Sequence, residues 1–253
     1  MRVGVLGATG IAGSAVAAEL VSRGHEVVAL GRRPGPEGTE HRRADVVTGD
    51  GLDTAFTGLD AVVECLNGKG TKDGVVRPVL IDGVRAALAA AADAGVAHAV
   101  SLSIIGCDRV PMGYYKVKVE QEGIVRAASL PATVVRATQF HQLVDFALGA
   151  ARRTGLMPVP RIVLQPVDPA DVATALADVV ERGPGEDASI AGPEVLTLPD
   201  MAHGWRAARG SHRPVVPLPA VGATLRAMAA GGLTDERAPR GTRTWAQYLG
   251  GAG

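Results

Sequence analysis

Short apolar runs separated by stretches of helical periodicity dominate the first half of the chain. Arg2–Leu6 and residues 26–30, 61–66, 97–105 and 132–136 are rich in Val, Ile, Leu and Ala and predict strands. Residues 44–47 read as a further strand, third in order along the chain. Between these runs, residues 11–23 place Ala15, Val16, Leu20 and Val21 on one helical face, and Gly24 closes the helix. Residues 79–94, closed by Gly95, and residues 115–128 predict two more helices, and residues 54–56 fall in a short one. Strands alternating with helices imply right-handed crossovers and a parallel sheet. Strands that are apolar throughout imply a sheet covered on both faces. The expected class is therefore α/β, a doubly wound parallel sheet.

Beyond Arg136 the pattern loosens. Pro158, Pro160, Pro166 and Pro169 interrupt the chain, a helix is predicted over 169–181, and Pro214, Pro217 and Pro219 follow. These pieces are too short to bury a core alone. The expected organisation is a sheet domain over 1–136 and a smaller C-terminal substrate lobe over 137–253, packed on it as one integrated unit.

Composition narrows the class further. Hydrophobic residues are 47% of the 253, but aromatics only 3%, so Ala, Val and Leu must fill the core. Twenty-six basic residues balance 26 acidic ones, leaving no net field to attract nucleic acid or an anionic membrane. No apolar run reaches the roughly 18 residues of a membrane helix. The N-terminus MRVGVLGATG lacks the pattern of a signal peptide. A cytoplasmic protein with no membrane partner is expected. Cys65 and Cys107 are isolated and read as buried small hydrophobes. With the histidines equally scattered, no metal site is expected.

The strongest motif is Gly7-Ala8-Thr9-Gly10-Ile11-Ala12-Gly13, lying between the first strand and the first helix. Glycines there allow a tight turn, close approach to a pyrophosphate and close helix–strand packing, while the helix N-terminus offers amides and a positive dipole end. Gly7, Thr9, Gly10, Ile11 and Gly13 are therefore candidate dinucleotide-binding residues in a Rossmann-type domain. After the second strand the chain continues Gly31-Arg32-Arg33. A carboxylate at that place would bind the ribose hydroxyls of NAD, whereas arginines match the 2′-phosphate of NADP. NADP(H) is the expected cofactor and NAD the lesser alternative. Asp45 and Val46 could line the adenine, and Asp45 reads equally well as a plain loop carboxylate.

Tyr114 and Lys118 stand four apart in a helical stretch, hence on one face. An ammonium beside a phenol favours the phenolate, which suits proton exchange with a carbonyl oxygen during hydride transfer. Ser103, ending the preceding strand, could bond the same oxygen. Tyr115 competes with Tyr114, and Ser101 with Ser103. Leu66 and Asn67, ending the fourth strand, should approach the centre of the cofactor. Thr138 and Phe140 are expected to border the nicotinamide, and Gln139 and His141 to face the substrate.

Taken together, the 7–13 turn, Arg32-Arg33, Ser101-Leu102-Ser103-Ile104-Ile105-Gly106 and Tyr114 to Lys118 resemble the atypical short-chain dehydrogenase/reductases, more narrowly the NmrA-like NAD(P)-binding branch. Val135-Arg136-Ala137-Thr138-Gln139-Phe140-His141, Gln165-Pro166-Val167-Asp168 and Thr244-Trp245-Ala246-Gln247-Tyr248-Leu249 extend the likeness along the chain. The resemblance implies a Rossmann-type domain with a C-terminal substrate lobe, NADP(H), Tyr114 as acid/base, Lys118 holding the ribose and lowering the tyrosine pKa, and Ser103 polarising the substrate. It also implies a second route, found in quinone reductases, in which hydride passes without a tyrosine acid. The expected function is an NADPH-dependent oxidoreductase reducing a small carbonyl, quinone or similar electrophile, as a monomer or homodimer. The alternatives are a non-catalytic NADP-sensing regulator and an epimerase or dehydratase that retains NAD.

Overall fold

A computed structural model describes residues 1–68, 70, 73–150 and 155–251. The chain divides into two compact units, and the division does not follow one point along it. The first comprises residues 1–103, 113–136 and 172–188; the second comprises 104–112, 137–171 and 189–253.

In the first unit β1 (Arg2–Leu6), α1 (Ile11–Ser22), β2 (Glu26–Gly31), β3 (Glu40–Arg43), α2 (Leu52–Ala55), β4 (Ala61–Glu64), α3 (Asp73–Arg77), α4 (Val84–Asp93), β5 (His98–Ile104), α5 (Gly113–Arg126) and β6 (Ala132–Ala137) follow one another. A π-helical stretch, Pro78–Gly83, joins α3 to α4. β1 pairs in parallel with β2 on one side and β4 on the other, in register Leu6 to Leu30 and Leu6 to Glu64. The seven-stranded sheet runs β3-β2-β1-β4-β5-β6-β9, with β9 at Ala188–Ile190. The order reverses between β1 and β4, so their carboxyl ends open the crevice where doubly wound sheets bind ligands. The core needs few aromatics: Leu6, Val28, Leu30, Leu52, Phe56, Val62, Val84, Leu88 and Val134 fill it between sheet and helices.

One expected element moves. The third strand is not 44–47 but Glu40–Arg43, paired in parallel with β2 alone. It is an edge strand, with charged side chains and only one neighbour, so it carries no apolar run for periodicity to detect. Residues 44–47 form the turn that follows.

The second unit contains α6 (His141–Ala150). β7 (Met157–Pro160) pairs in parallel with β11 (Val215–Leu218), and β8 (Val163–Leu164) antiparallel with β10 (Leu196–Thr197). α7 (Pro169–Arg182) starts in this unit and continues into the first. Thr197 caps α8 (Leu198–Ala208) through the Asp200 amide, α9 spans Ala223–Ala229, and Thr244 and Gln247 form a capping box on α10 (Trp245–Gly250). Among the described residues no helix is long and apolar enough to cross a membrane. Cys65 and Cys107 are both buried, as their isolation in sequence suggests.

Candidate nucleotide site

The Gly-rich turn is built for close approach. Gly7 holds φ at +79°, a region that favours glycine, and a Cβ there would lie 2.7 Å from the Cys65 carbonyl oxygen. A Cβ at Gly13 would lie 2.2 Å from the Gly7 carbonyl oxygen, so α1 packs against the turn only because residue 13 is glycine. The Gly10 amide closes the turn on the Gly7 carbonyl at 2.9 Å. Gly10 is the N-cap of α1; no side chain caps it and no acidic residue lies in the first turn. Thr9, Gly10 and Ile11 are exposed. An uncapped twelve-residue helix behind a bare glycine turn fits a pyrophosphate.

β2 delivers Arg32 and Arg33 to the surface just past Gly31. Arg32 Nε lies 4.0 Å from Asp45 Oδ2, a loose contact that leaves the guanidinium 69% exposed. Asp45 itself is a turn former: its carboxylate accepts from the Val47 amide at 3.0 Å. Val46 is packed against the backbone of Gly83, whose missing side chain makes the room.

At the end of β4 the sequence turns polar. Glu64 is the last residue of an otherwise apolar strand and is 2% exposed. Its Oε1 accepts from the Leu66 amide at 2.7 Å; its Oε2 accepts from Ser101 Oγ at 2.5 Å and Gln121 Nε2 at 2.7 Å. Burial raises its pKa, and the Lys118 charge and these bonds offset the rise only in part. One residue further on, Asn67 Oδ1 accepts from the Tyr114 hydroxyl at 2.9 Å.

α5 explains why these groups meet. Its buried stripe contains Lys118, Gln121 and Glu122, spaced so that they line up along β5. The Lys118 ammonium, 3% exposed as a residue, donates to the Leu102 carbonyl at 2.9 Å. Ser101 and Ser103, two apart on β5, point to the same face, and each donates to a different buried carboxylate. Ser103 Oγ bonds Glu122 Oε1 at 2.6 Å, and Arg136 holds both oxygens of that carboxylate, at 2.8 and 2.7 Å. Burial pushes the Glu122 carboxyl up, but the hydrogen bonds from Arg136 and Ser103 and the charges of Arg136 and Arg126 outweigh it, and the pKa falls below the ordinary carboxylate value.

Two expectations change here. The Tyr114 phenol is pushed up to about 12, first by burial, then by Tyr115 and the Glu64 charge, rather than lowered by Lys118. The ammonium donates to the Leu102 carbonyl, and its charge acts on Glu64. Ser103 serves the Glu122–Arg136 pair rather than standing free to polarise a substrate. Glu64, Gln121, Glu122 and Arg136 escaped the sequence reading. The signal for Glu64 was present, a carboxylate ending an apolar strand, but its side-chain partners Ser101 and Gln121 lie 37 and 57 residues away.

In the second unit, Thr138 Oγ1 accepts from the Gly192 amide at 3.1 Å, and Gln139 Nε2 donates to the Leu233 carbonyl at 3.3 Å while its Oε1 is buried without a partner. Phe140 bridges to Val167. His141 is fully buried, stacked at 5.8 Å on Trp245 and 5.1 Å on Tyr248. Burial lowers its pKa to about 4, so the ring is a neutral packing element at physiological pH and not the exposed polar ring expected of a substrate contact.

Comparison with known proteins bears on the family and the fold. A family model described as NAD(P)H-binding matches residues 7–182. An uncharacterised Mycobacterium tuberculosis protein is 36% identical over 106 residues, which are 41% of this chain and 12% of that protein's length. Among solved structures, an NADPH-dependent quinone oxidoreductase from Escherichia coli, complexed with NADPH, superposes with a TM-score of 0.79 at 20% identity over 98% of each chain. A nucleoside-diphosphate-sugar epimerase from Staphylococcus aureus gives 0.78 at 17% identity, over 98% of this chain and 99% of that one. A short-chain dehydrogenase/reductase superfamily protein from Agrobacterium tumefaciens with bound NAD gives 0.74 at 19% identity, over 100% and 96%.

Proposed function

The chain belongs to the NAD(P)H-binding family and has the fold of the atypical short-chain dehydrogenase/reductases, and from that premise we propose that it is an NADPH-dependent reductase that passes hydride directly to a quinone-like acceptor. One observation carries the choice of acceptor. The Tyr114 hydroxyl donates to Asn67 with its pKa near 12, and Ser103 is bound to Glu122, so neither is poised to hand a proton to a simple carbonyl. A quinone does not need that proton from the protein. It accepts hydride to give the hydroquinone anion, which takes its proton from water.

In this reading the turn at Gly7, Gly10 and Gly13, with Thr9 and Ile11, holds the pyrophosphate. Arg32 and Arg33 hold the 2′-phosphate, and Asp45 and Val46 flank the adenine. Leu66 and Asn67 line the centre of the cofactor, Lys118 holds the ribose, and Thr138 and Phe140 border the nicotinamide. Gln139 is the remaining substrate-side candidate, through its buried unpartnered oxygen. The nicotinamide supplies the hydride when bound. The Escherichia coli neighbour, named as an NADPH-dependent quinone oxidoreductase, supports the reading.

The test is a titration of purified protein with NADPH and NADH side by side, repeated on Arg32→Glu, followed by NADPH oxidation with benzoquinones and with small aldehydes and ketones. A tenfold preference for NADPH, about 1.4 kcal/mol, lost in the variant, and turnover with quinones but not simple carbonyls are expected. Carbonyl turnover abolished in Tyr114→Phe would restore the tyrosine mechanism. Tight NADPH binding with no turnover would favour a dinucleotide-sensing regulator, which the same tied-up Tyr114 and Ser103 also suit. NAD that stays bound through purification would favour the epimerase or dehydratase class.

A further inference from the structure

Glu64 is a fully enclosed acid, 2% exposed, and no step above uses it. Around it stand three donors, the Leu66 amide, Ser101 Oγ and Gln121 Nε2, and the charge of Lys118 acts on it. All three groups donate to the two carboxyl oxygens, which suits an acceptor at this position. Burying a charge is costly, and a Gln or Met in its place would fill the strand end without that cost. What the carboxylate does that an apolar residue could not is connect. Its two oxygens reach three different structures: Oε1 fixes the turn at Leu66, one residue before the Asn67 side chain that accepts from Tyr114. Oε2 fixes α5 through Gln121 and β5 through Ser101.

We infer that Glu64 is a positioning residue: its carboxylate locks the Leu66–Asn67 turn to the α5 face carrying Lys118, and so sets where that ammonium stands relative to the dinucleotide. The inference rests on the reading of Lys118 as the ribose-binding lysine. Gln at position 64 preserves shape but offers one acceptor oxygen where three donors now use two, and it removes the counter-charge from Lys118. The turn or the helix then loses its tie. Tyr114 shares the effect, since Glu64 is one of the groups that hold its phenol up.

The experiment compares wild type with Glu64→Gln, and with Ser101→Ala as a milder variant that leaves the carboxylate in place. Three readouts are taken: thermal melting, the NADPH dissociation constant, and the titration of Lys118 followed by NMR of 13Cε-labelled lysine, assigned with Lys118→Met. In Glu64→Gln the Lys118 midpoint should fall by about one pH unit and NADPH should bind about tenfold more weakly, with the melt still cooperative. Ser101→Ala should shift both in the same direction by less. A lowered melting temperature with the Lys118 midpoint and NADPH affinity unchanged would overturn the inference, leaving Glu64 a packing residue. If wild type binds no NADPH, the proposed function falls. The Lys118 midpoint then still decides whether Glu64 holds that ammonium.

Discussion

Glu64 and Glu122 lie against the same strand, each bonded to a β5 serine and each 2% exposed, yet they are set in opposite directions. Glu122 has two guanidiniums and is held below the ordinary carboxylate pKa; Glu64 has neutral donors and one ammonium, and burial wins. The difference is in the partners. A bidentate arginine returns what desolvation takes; an amide, a hydroxyl and an amine shared with a carbonyl do not. The Glu122 side is a clamp for the end of the sheet, made with Arg136 on β6. The Glu64 side is a strained charge beside the switch point, where a ligand of this fold would lie.

The sharpest way to break the comparison is to delete the clamp. Glu122→Ala strands Arg136 and Ser103 and should cost about 2–4 kcal/mol in denaturant unfolding. Glu64→Gln should cost less, about 1–2 kcal/mol; equal losses would mean that the partners do not matter.

Removing the Lys118 charge that acts on Glu64 comes next. Lys118→Met takes that charge from a buried carboxyl whose pKa is already raised, so stability should fall more steeply than in wild type as pH rises above the ordinary carboxylate value, by about 1–2 kcal/mol. Melting temperatures along a pH series check this.

The pH dependence of wild type sharpens the contrast. Glu122, with its folded pKa depressed, adds stability that is present above its unfolded value, about 4.3, and lost as pH falls through the folded one. Glu64, with its folded pKa raised, contributes in the other sense: its share is complete below the unfolded value and is lost as pH rises through the folded one. Glu122→Gln should therefore flatten the stability profile below the ordinary carboxylate pKa and Glu64→Gln the profile above it.

The smallest effects separate the two serines. Ser103→Ala and Ser101→Ala should each cost about 1 kcal/mol. Ser103→Ala should leave acceptor turnover unchanged, because its hydroxyl serves Glu122. A large loss of turnover without loss of stability would return Ser103 to the reacting centre.

Much of this arrangement was legible before any coordinates. The turn from Gly7 to Gly13, the order of strands and helices, and Arg32 and Arg33 after β2 follow from local rules: period, punctuation and a motif whose members touch each other. The edge strand Glu40–Arg43 was not legible, because a strand with one neighbour needs no apolar run. The helix over 79–94 was legible as a helix, but its first part is a π-helical stretch through Pro78–Gly83. His141 stood beside the other pocket candidates in sequence, and only the return of α10 to α6 put Trp245 and Tyr248 on its ring.

The chain by itself thus determined most of the elements, the doubly wound sheet and the glycine turn before α1, since each depends on residues within a few positions of one another. Tertiary structure decided the chemistry around β5. Ser101 to Glu64, Ser103 to Glu122 and Arg136 to Glu122 are choices among donors and acceptors far apart in sequence. Which carboxylate receives an arginine, and hence which way its proton equilibrium moves, is fixed only when α5 packs on the sheet.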